Sequence, residues 1–235
     1  QWFVGGAAIP GQTNSTLAVT NVQPANAGTY AVLVDNIAGS TLSSNALLTV
    51  GTNCNSAPAG LLSWWRAELS AMDSVGGNHG TLNGEIVYTP GRAGLGFLLD
   101  GSGDGVRVGN SVNLRLQDFT IETWARPSNT NLVSTGAGND SLFFSFGAGG
   151  YGFGLNASGQ PFLTRINFSA VNANVVVGDT NFHHLAMTKS GTTVIFYVDG
   201  VAYPAPTYND VFTFSTQAAV GARGDNLGNS FMGTV

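Results

Sequence analysis

Charge is the scarcest property of this sequence. Only 9% of its 235 residues are charged, against roughly 25% in an average soluble domain. Glycine, serine, threonine and asparagine take the place of charged residues, with glycine alone at 33 positions. Surface helices use lysine and glutamate heavily, so this exchange favours strands and turns. The 43% hydrophobic content excludes a disordered chain, because disorder combines low hydrophobicity with high net charge.

Positively charged residues are few, and long apolar runs are absent from the sequence. Lys189 is the only lysine, the arginines are scattered, and the net charge is −5. No basic stripe is available to neutralise phosphates, which argues against nucleic-acid binding. No apolar run approaches the roughly 20 residues that a membrane-spanning helix needs. We therefore expect no nucleic-acid partner and no membrane insertion within these residues.

Cysteine occurs once, as Cys54, so no disulfide can form within the chain. Cys54 lies in a polar segment that contains Pro58 and separates two β-rich regions. We predict that residues 51–59 are a linker between two domains. Two roles stay open for Cys54: an unpaired linker thiol, or a thiol that pairs with a partner outside this sequence.

Alternating polar and apolar residues, separated by glycine turns, predict an all-β fold with no helix beyond single turns. In the strand predicted at 119–126, Phe119, Ile121 and Ala125 share one face and Trp124 stands on the other. The other segments with strand character are 2–4, 16–20, 30–34, 46–50, 84–88, 97–100, 105–108, 141–146, 151–156, 161–166, 183–189, 192–198 and 214–220.

Residues 1–50 resemble the second half of an immunoglobulin-like domain of bacterial surface proteins. Trp2 corresponds to the strand-C tryptophan, Leu17-Ala18-Val19 to strand E, and the segment from Asn26 to Tyr30 to the corner before strand F. The resemblance implies that the Tyr30 hydroxyl bonds to backbone just upstream. Val32 stands where the family has cysteine. We expect residues 1–50 to be a partial immunoglobulin-like sandwich, comprising its C-terminal strands only.

Residues 60–235 resemble a laminin-G-like jelly roll of the concanavalin A type, in its pentraxin-related branch. The segments that carry the resemblance are 60–68, 73–82, 99–106, 119–127, 182–186 and 196–200. The resemblance implies an antiparallel jelly-roll sandwich, and we expect it to be truncated at its last strand.

The sequence contains no arrangement typical of nucleophilic catalysis or of a glycosidase. No serine lies in a Gly-x-Ser-x-Gly elbow, and no strand carries the paired carboxylates that glycoside hydrolysis requires. His183 and His184 are adjacent, so on a strand they point to opposite faces and cannot form one ligand pair. We therefore expect that the domain is not an enzyme.

Calcium is the only cofactor that the sequence suggests, because hard cations prefer carboxylate, amide and carbonyl oxygens. In pentraxins the corresponding loops hold calcium. The resemblance points to Asn139 and Asp140 with Asp225 and the backbone of Gly224, although Arg223 falls where a pentraxin has an acidic ligand.

The glycine-flanked pair Asp100 and Asp104 is the alternative calcium site. These two carboxylates could instead accept hydrogen bonds from their own backbone in Asx-turns. The sequence leaves both readings open.

A sugar-binding surface would need an exposed aromatic ring. Trp64, Trp65, Trp124, Phe153, Tyr203 and Tyr208 are the candidates, and most aromatic residues in strands belong to the core. Tyr208 lies between Thr207 and Asn209 in a predicted loop, so we predict that it is the exposed ligand-binding ring.

These observations favour a recognition, adhesion or spacer module of a larger secreted or cell-surface protein. Its expected partner is a glycan or an extracellular protein. The alternative is an accessory carbohydrate-binding region of a polysaccharide-degrading enzyme whose catalytic domain lies elsewhere. The sequence does not identify the ligand.

Overall fold

The computed structural model describes residues 1–20, 22, 24–50 and 57–235. The chain divides into two compact units, Gln1–Pro58 and Ala59–Val235. Most of the predicted linker, including Cys54, lies outside the described residues. The two units are called the N-terminal unit and the C-terminal unit below.

The N-terminal unit forms one antiparallel sheet in the order β2-β1-β3-β4, with β5 also paired to β3. A 3₁₀ turn at Pro24–Asn26 precedes the long central strand. The strands are β1 (Trp2–Val4), β2 (Ala7–Ala8), β3 (Gly28–Asn36), β4 (Gly39–Leu42) and β5 (Ala46–Leu48). The Tyr30 hydroxyl donates a hydrogen bond of 2.7 Å to the Asn26 carbonyl, the contact that the immunoglobulin resemblance implies.

The predicted strand at 16–20 is wrong, because these residues pair with no strand. All the described strands of the unit belong to one sheet, and residues 17–19 instead cover its apolar face. Leu17 and Val19 line a groove there together with Trp2, Tyr30 and Leu48. Leu17 and Val19 therefore lie beside the apolar residues of the sheet and not in one of its described strands.

The C-terminal unit is all β, as predicted, with two seven-stranded antiparallel sheets. Sheet I has the order β17-β16-β15-β10-β19-β8-β7, and sheet II has the order β14-β13-β12-β11-β18-β9-β6. Its strands are β6 (Thr81–Asn83), β7 (Val87–Pro90), β8 (Leu95–Asp100), β9 (Gly105–Gly109), β10 (Phe119–Pro127), β11 (Ser141–Phe146), β12 (Tyr151–Leu155), β13 (Pro161–Arg165), β14 (Ser169–Asn172), β15 (His183–Ser190), β16 (Thr193–Val198), β17 (Val201–Pro204), β18 (Ala218–Val220) and β19 (Met232–Thr234). Single 3₁₀ turns lie at Val112–Leu114 and Ala137–Asn139.

Several strand boundaries differ from the prediction. The segment 84–88 lies across a turn between β6 and β7, and only the last three residues of 214–220 form a strand, β18. The sequence did not indicate β6, β14, β17 or β19. Strand β19 lies between β10 and β8 in sheet I, so residues 232–234 hold a central place despite their short length.

The two sheets enclose an aromatic core. Phe153 of sheet II stacks on Phe196 of sheet I with ring centroids 6.3 Å apart, and both side chains are fully buried. Full burial of one such ring contributes about 1.5–3 kcal/mol. Gly154 is required in β12, because a Cβ at that position would lie 1.8 Å from the Ser141 carbonyl oxygen. The core leaves the opposite face of sheet I available for other contacts.

Candidate functional site

An exposed tryptophan stands on the outer face of sheet I. Strand β10 alternates as predicted: Phe119, Ile121 and Ala125 face the core, whereas Trp124 is 41% exposed. Because successive side chains on a strand point to opposite faces, Glu122 and Arg126 share the outer face with Trp124. Along its outer face, strand β10 therefore presents a carboxylate (Glu122), an aromatic ring (Trp124) and a guanidinium group (Arg126), in that order.

Neighbouring elements add two more polar groups. His184 of β15 is the cross-strand partner of Trp124, and their ring centroids are 5.3 Å apart. The guanidinium of Arg92, in the hairpin between β7 and β8, lies 5.3 Å from the centroid of the Trp124 ring. The residues Arg92, Glu122, Trp124, Arg126 and His184 are called the Trp124 surface below.

The polar groups of the Trp124 surface differ in their exposure and in the contacts that they already make. The Glu122 carboxylate is 63% exposed and lies 3.7 Å from His184 Nε2, too far for a short hydrogen bond. The Arg126 guanidinium lies over the Phe182 ring at 4.9 Å. In the described part of the chain, neither Arg92 nor Arg126 has a carboxylate within ion-pair distance. The surface combines an apolar ring with donors and an acceptor, as sites for small polar ligands do.

The prediction that Tyr208 presents an exposed ring is wrong. Tyr208 is 5% exposed, and its ring lies 6.2 Å from that of Phe212 in the core. Its hydroxyl is 3.0 Å from Ser169 Oγ, which itself donates to the Asp210 carboxylate. Burial raises the pKa of Tyr208. These contacts come from β14 and from the segment that follows Tyr208, so its neighbours in sequence did not reveal them.

Of the other aromatic candidates, three point inward. The Trp65 indole donates to the Asn78 carbonyl at 2.8 Å and stacks on Phe144. Phe153 is fully buried, and Tyr203 packs against the core.

Trp64 is 43% exposed and carries the Arg66 guanidinium 5.1 Å from its ring centroid. It offers an aromatic ring comparable in exposure to that of Trp124. However, the carboxylate next to it, that of Asp73, is 5% exposed and accepts a hydrogen bond from the Trp64 backbone N–H at 2.8 Å, so it is not available to a ligand on the ring. The Trp124 surface is therefore the better equipped of the two.

The structure does not bring the predicted calcium ligands together. Asp140 directly precedes β11, and its Oδ1 accepts a hydrogen bond from the Ala157 backbone N–H at 2.9 Å. Asp225 accepts from the Ala148 N–H, two residues beyond the other end of β11. A six-residue strand is about 20 Å long, so one ion cannot contact both Asp225 and the pair Asn139 and Asp140.

Arg223 takes the place of a cation beside Asp225. Its Nε and Nη2 donate to the two Asp225 oxygens at 3.0 and 2.8 Å, and Nη1 donates to Asn167 Oδ1 at 3.0 Å. Burial alone would raise the pKa of Asp225, but the Arg223 bonds and the Ala148 N–H outweigh it and lower the pKa. Gly224 is buried against the Gln217 carbonyl. This donor set does not fit calcium.

At the alternative calcium site, the carboxylates of Asp100 and Asp104 accept hydrogen bonds from backbone N–H groups. Asp104 is 2% exposed, and its oxygens accept from the Glu85 N–H at 2.7 Å and the Asp100 N–H at 2.9 Å. Asp100 Oδ1 accepts from the Ser102 N–H, which is an Asx-turn. Over the described residues, no group of three His, Cys, Asp or Glu side chains is placed to hold a metal ion.

The adjacent histidines have separate surroundings, as their alternation on a strand predicts. His183 lies between two carboxylates, with Nδ1 2.7 Å from Asp199 and Nε2 3.0 Å from Asp179. Burial alone would lower the pKa of His183, but its bonds to the two carboxylates raise it. His183 therefore fastens the segment before β15 to the turn after β16, while His184 belongs to the Trp124 surface.

The fold defines a concanavalin A-like jelly roll. Residues 100–235 match the laminin G-like sequence model of the concanavalin A-like lectin/glucanases superfamily. Because this match covers more than half of the chain, the chain belongs to that family. No curated protein sequence matches it. Among the helices of the described residues, none has the length and hydropathy needed to cross a membrane.

Several solved structures are similar to this chain. Domain 4 of AbnA, an extracellular GH43 arabinanase of Geobacillus stearothermophilus solved with arabinotriose, is 21% identical with a TM-score of 0.56; the match covers 74% of this chain and 86% of that one. The CBM40 of the Ruminococcus gnavus IT-sialidase is 13% identical over 60% and 85% of the chains, at a TM-score of 0.46. The CBM66 of Bacillus subtilis is 16% identical over 66% and 89%, at 0.39. The arabinanase similarity supports the fold.

Proposed function

We propose that the C-terminal unit is a non-catalytic glycan-binding module and that the Trp124 surface is its contact. The exposed Trp124 ring on the outer face of a concanavalin A-like sheet carries this proposal. The apolar face of a sugar ring can pack on Trp124, while Glu122 accepts and Arg92 and Arg126 donate hydrogen bonds to its substituents. Domain 4 of the arabinanase, which shares the fold, was solved with an oligosaccharide.

The absence of catalysis is part of the proposal. The surface contains one carboxylate, Glu122, and the ring nitrogen Nε2 of His184 lies 3.7 Å from it. A retaining glycosidase needs two carboxyl groups about 5–5.5 Å apart, and an inverting one needs them about 6.5–9.5 Å apart. We also propose that the module works outside the cell, in a larger secreted or surface protein. That protein could be a polysaccharide-degrading enzyme in which this module is accessory.

Replacement of Trp124 tests the binding site. We expect Trp124→Ala to weaken binding to a soluble polysaccharide identified by affinity electrophoresis at least tenfold, because the ring is the apolar platform. Trp64→Ala is the matched control, since Trp64 is 43% exposed and is not among the residues of the Trp124 surface. Titration calorimetry with both variants, together with their unfolding midpoints, gives the comparison.

Two results contradict the proposal. Equal affinity of Trp124→Ala and wild type would remove the Trp124 surface from glycan binding. Failure of wild type to bind any polysaccharide in a broad panel would overturn the glycan function itself, and recognition of an extracellular protein would then be the remaining alternative.

A further inference from the structure

The charges of the Trp124 surface are separated along β10. Glu122 lies two residues before Trp124 and Arg126 two residues after it, so each is about 7 Å from the tryptophan along the strand. Arg92 adds a second guanidinium directly at the ring. A ligand on Trp124 would therefore have cationic groups beside it, with the single carboxylate towards one side.

Arg92 and Arg126 lack ionic partners, as does every arginine of the described residues except Arg223. Acidic residues exceed basic ones, 13 to 8, yet the described ion pairs involve only Arg223 and the histidines. Arg92 and Arg126 instead lie over aromatic rings, Trp124 and Phe182. Among the described residues Arg92 makes no side-chain hydrogen bond. Arg126 makes one, from Nη2 to Thr234 Oγ1 at 3.4 Å, so most of its N–H donors stay available for an anion.

We propose that the glycan bound at the Trp124 surface is acidic, with sugar carboxylates such as those of uronic acids. Arg92 and Arg126 bind the carboxylate, Trp124 packs against the pyranose face, and Glu122 and His184 contact hydroxyl groups. This inference rests on the proposed function and names the ligand class of the same site.

The chemistry of arginine supports this assignment. Its planar guanidinium matches a carboxylate with two parallel hydrogen bonds, and such charge-assisted bonds are stronger than neutral ones. Arg92 is exposed in a hairpin, so it can move from the ring as a sugar arrives. The cation–π contact that it gives up is weak at an exposed site. Glu122 repels a carboxylate on its side and so orients the ligand.

The test uses the full chain with two acidic polymers, polygalacturonate and hyaluronan, and their carboxyl-reduced counterparts. Reduction keeps each polymer's backbone and removes its charge. We expect wild type to bind at least one acidic polymer about tenfold more tightly than its reduced form. We also expect Arg92→Gln to remove most of that difference and Arg126→Gln to reduce it. Arg66→Gln, which alters the guanidinium on the other exposed tryptophan, should change nothing.

Salt gives a second readout, because arginine–carboxylate contacts at a surface are screened. Affinity for the acidic polymer should fall between 20 and 500 mM sodium chloride in wild type and much less in Arg92→Gln. Equal or tighter binding of the reduced polymers, or of neutral polysaccharides, would overturn the acidic preference and leave the glycan function intact. Absence of binding to every polymer would overturn both.

Discussion

At the scale of single residues, Asp73 stands out as a buried carboxylate used for structure. It is 5% exposed, and its oxygens accept from the backbone N–H groups of Trp64, Val75 and Asn78 at 2.8–3.0 Å. Burial would raise its pKa, but hydrogen bonds from the backbone of Trp64, Val75 and Gly76 and from the Ser63 side chain outweigh burial and lower the pKa to about 2. Asp73 thus holds the turn that follows it against the segment of Trp64.

Asp73→Asn should destabilise the C-terminal unit by about 2 kcal/mol at pH 7, because a fall of the pKa from 3.8 to about 2 corresponds to that free energy. A lowered pKa contributes stability above about pH 4, which is lost as the pH falls towards 2. Denaturant unfolding at pH 7, 4 and 3 should therefore show a shrinking difference between wild type and Asp73→Asn. Asp100→Asn, at an exposed Asx-turn, is the control. A difference independent of pH would contradict the role of the charge.

Residue patterns predicted the faces of β10 because alternation is a local property. The exposure of Trp124 opposite Phe119 and Ile121 could be derived from their spacing alone. That spacing could have indicated the candidate site, although we predicted Tyr208 as the ligand-binding ring instead. Tyr208 shows the limit. Its burial depends on Ser169, 39 positions earlier in the chain, and no local pattern encodes such a contact.

At the scale of elements, pairing partners were harder to predict than strands. The segment Leu17-Ala18-Val19 has strand alternation but belongs to no described strand, and Leu17 and Val19 instead line a groove beside the sheet. Residues 232–234 have little alternation, yet they form β19 because β8 and β10 offer edges on both sides. In the same way, the sequence allowed Asp140 and Asp225 to share one calcium ion, but in the structure they lie at opposite ends of β11.

The His183 contacts join two elements through a charge that depends on pH. Both ring nitrogens face carboxylates, so the imidazolium form can donate to Asp179 and Asp199 together. The bonds with His183 also contribute to the lowered pKa of each of these carboxyls. The segment before β15 and the turn after β16 are therefore held most firmly while the histidine is charged and the carboxylates are ionised.

His183→Gln should lower the unfolding midpoint more at pH 6 than at pH 9. A raised histidine pKa contributes stability that is complete below about pH 6.5 and is lost as the pH rises through the folded-state pKa. The contribution of the carboxylates is present above about pH 4, so the contact is strongest between about pH 4 and 6.5. Thermal unfolding between pH 4 and pH 9 is the measurement, with His184→Gln as control. A titration of His183 by NMR that gave a pKa below 6.5 would contradict this account.

At the scale of the whole C-terminal unit, Arg223 and Asp225 connect three loops of sheet II. Asp225 accepts from Ala148 in the turn after β11, and Arg223 donates to Asn167 in the turn after β13. The Arg223 N–H also donates to the Gly228 carbonyl within the loop after β18. The pair is partly buried, with side chains 16% and 23% exposed. An ion pair thus joins these loops where a pentraxin-like site would have calcium.

Asp225→Ala should therefore destabilise the unit to the same extent with and without calcium. Loss of the carboxylate leaves the Arg223 guanidinium without its ionic partner, which costs about 1–3 kcal/mol and several degrees in the unfolding midpoint. Thermal unfolding in millimolar calcium and in chelator should give equal midpoints for wild type, because nothing that binds the folded state is added.

Asp140→Ala, which loses one exposed backbone contact, should change the midpoint less. A calcium-dependent rise that disappears in Asp225→Ala would restore the predicted site there. A rise that persists in that variant would assign calcium to another part of the chain, with Asp100 and Asp104 as the next pair to replace.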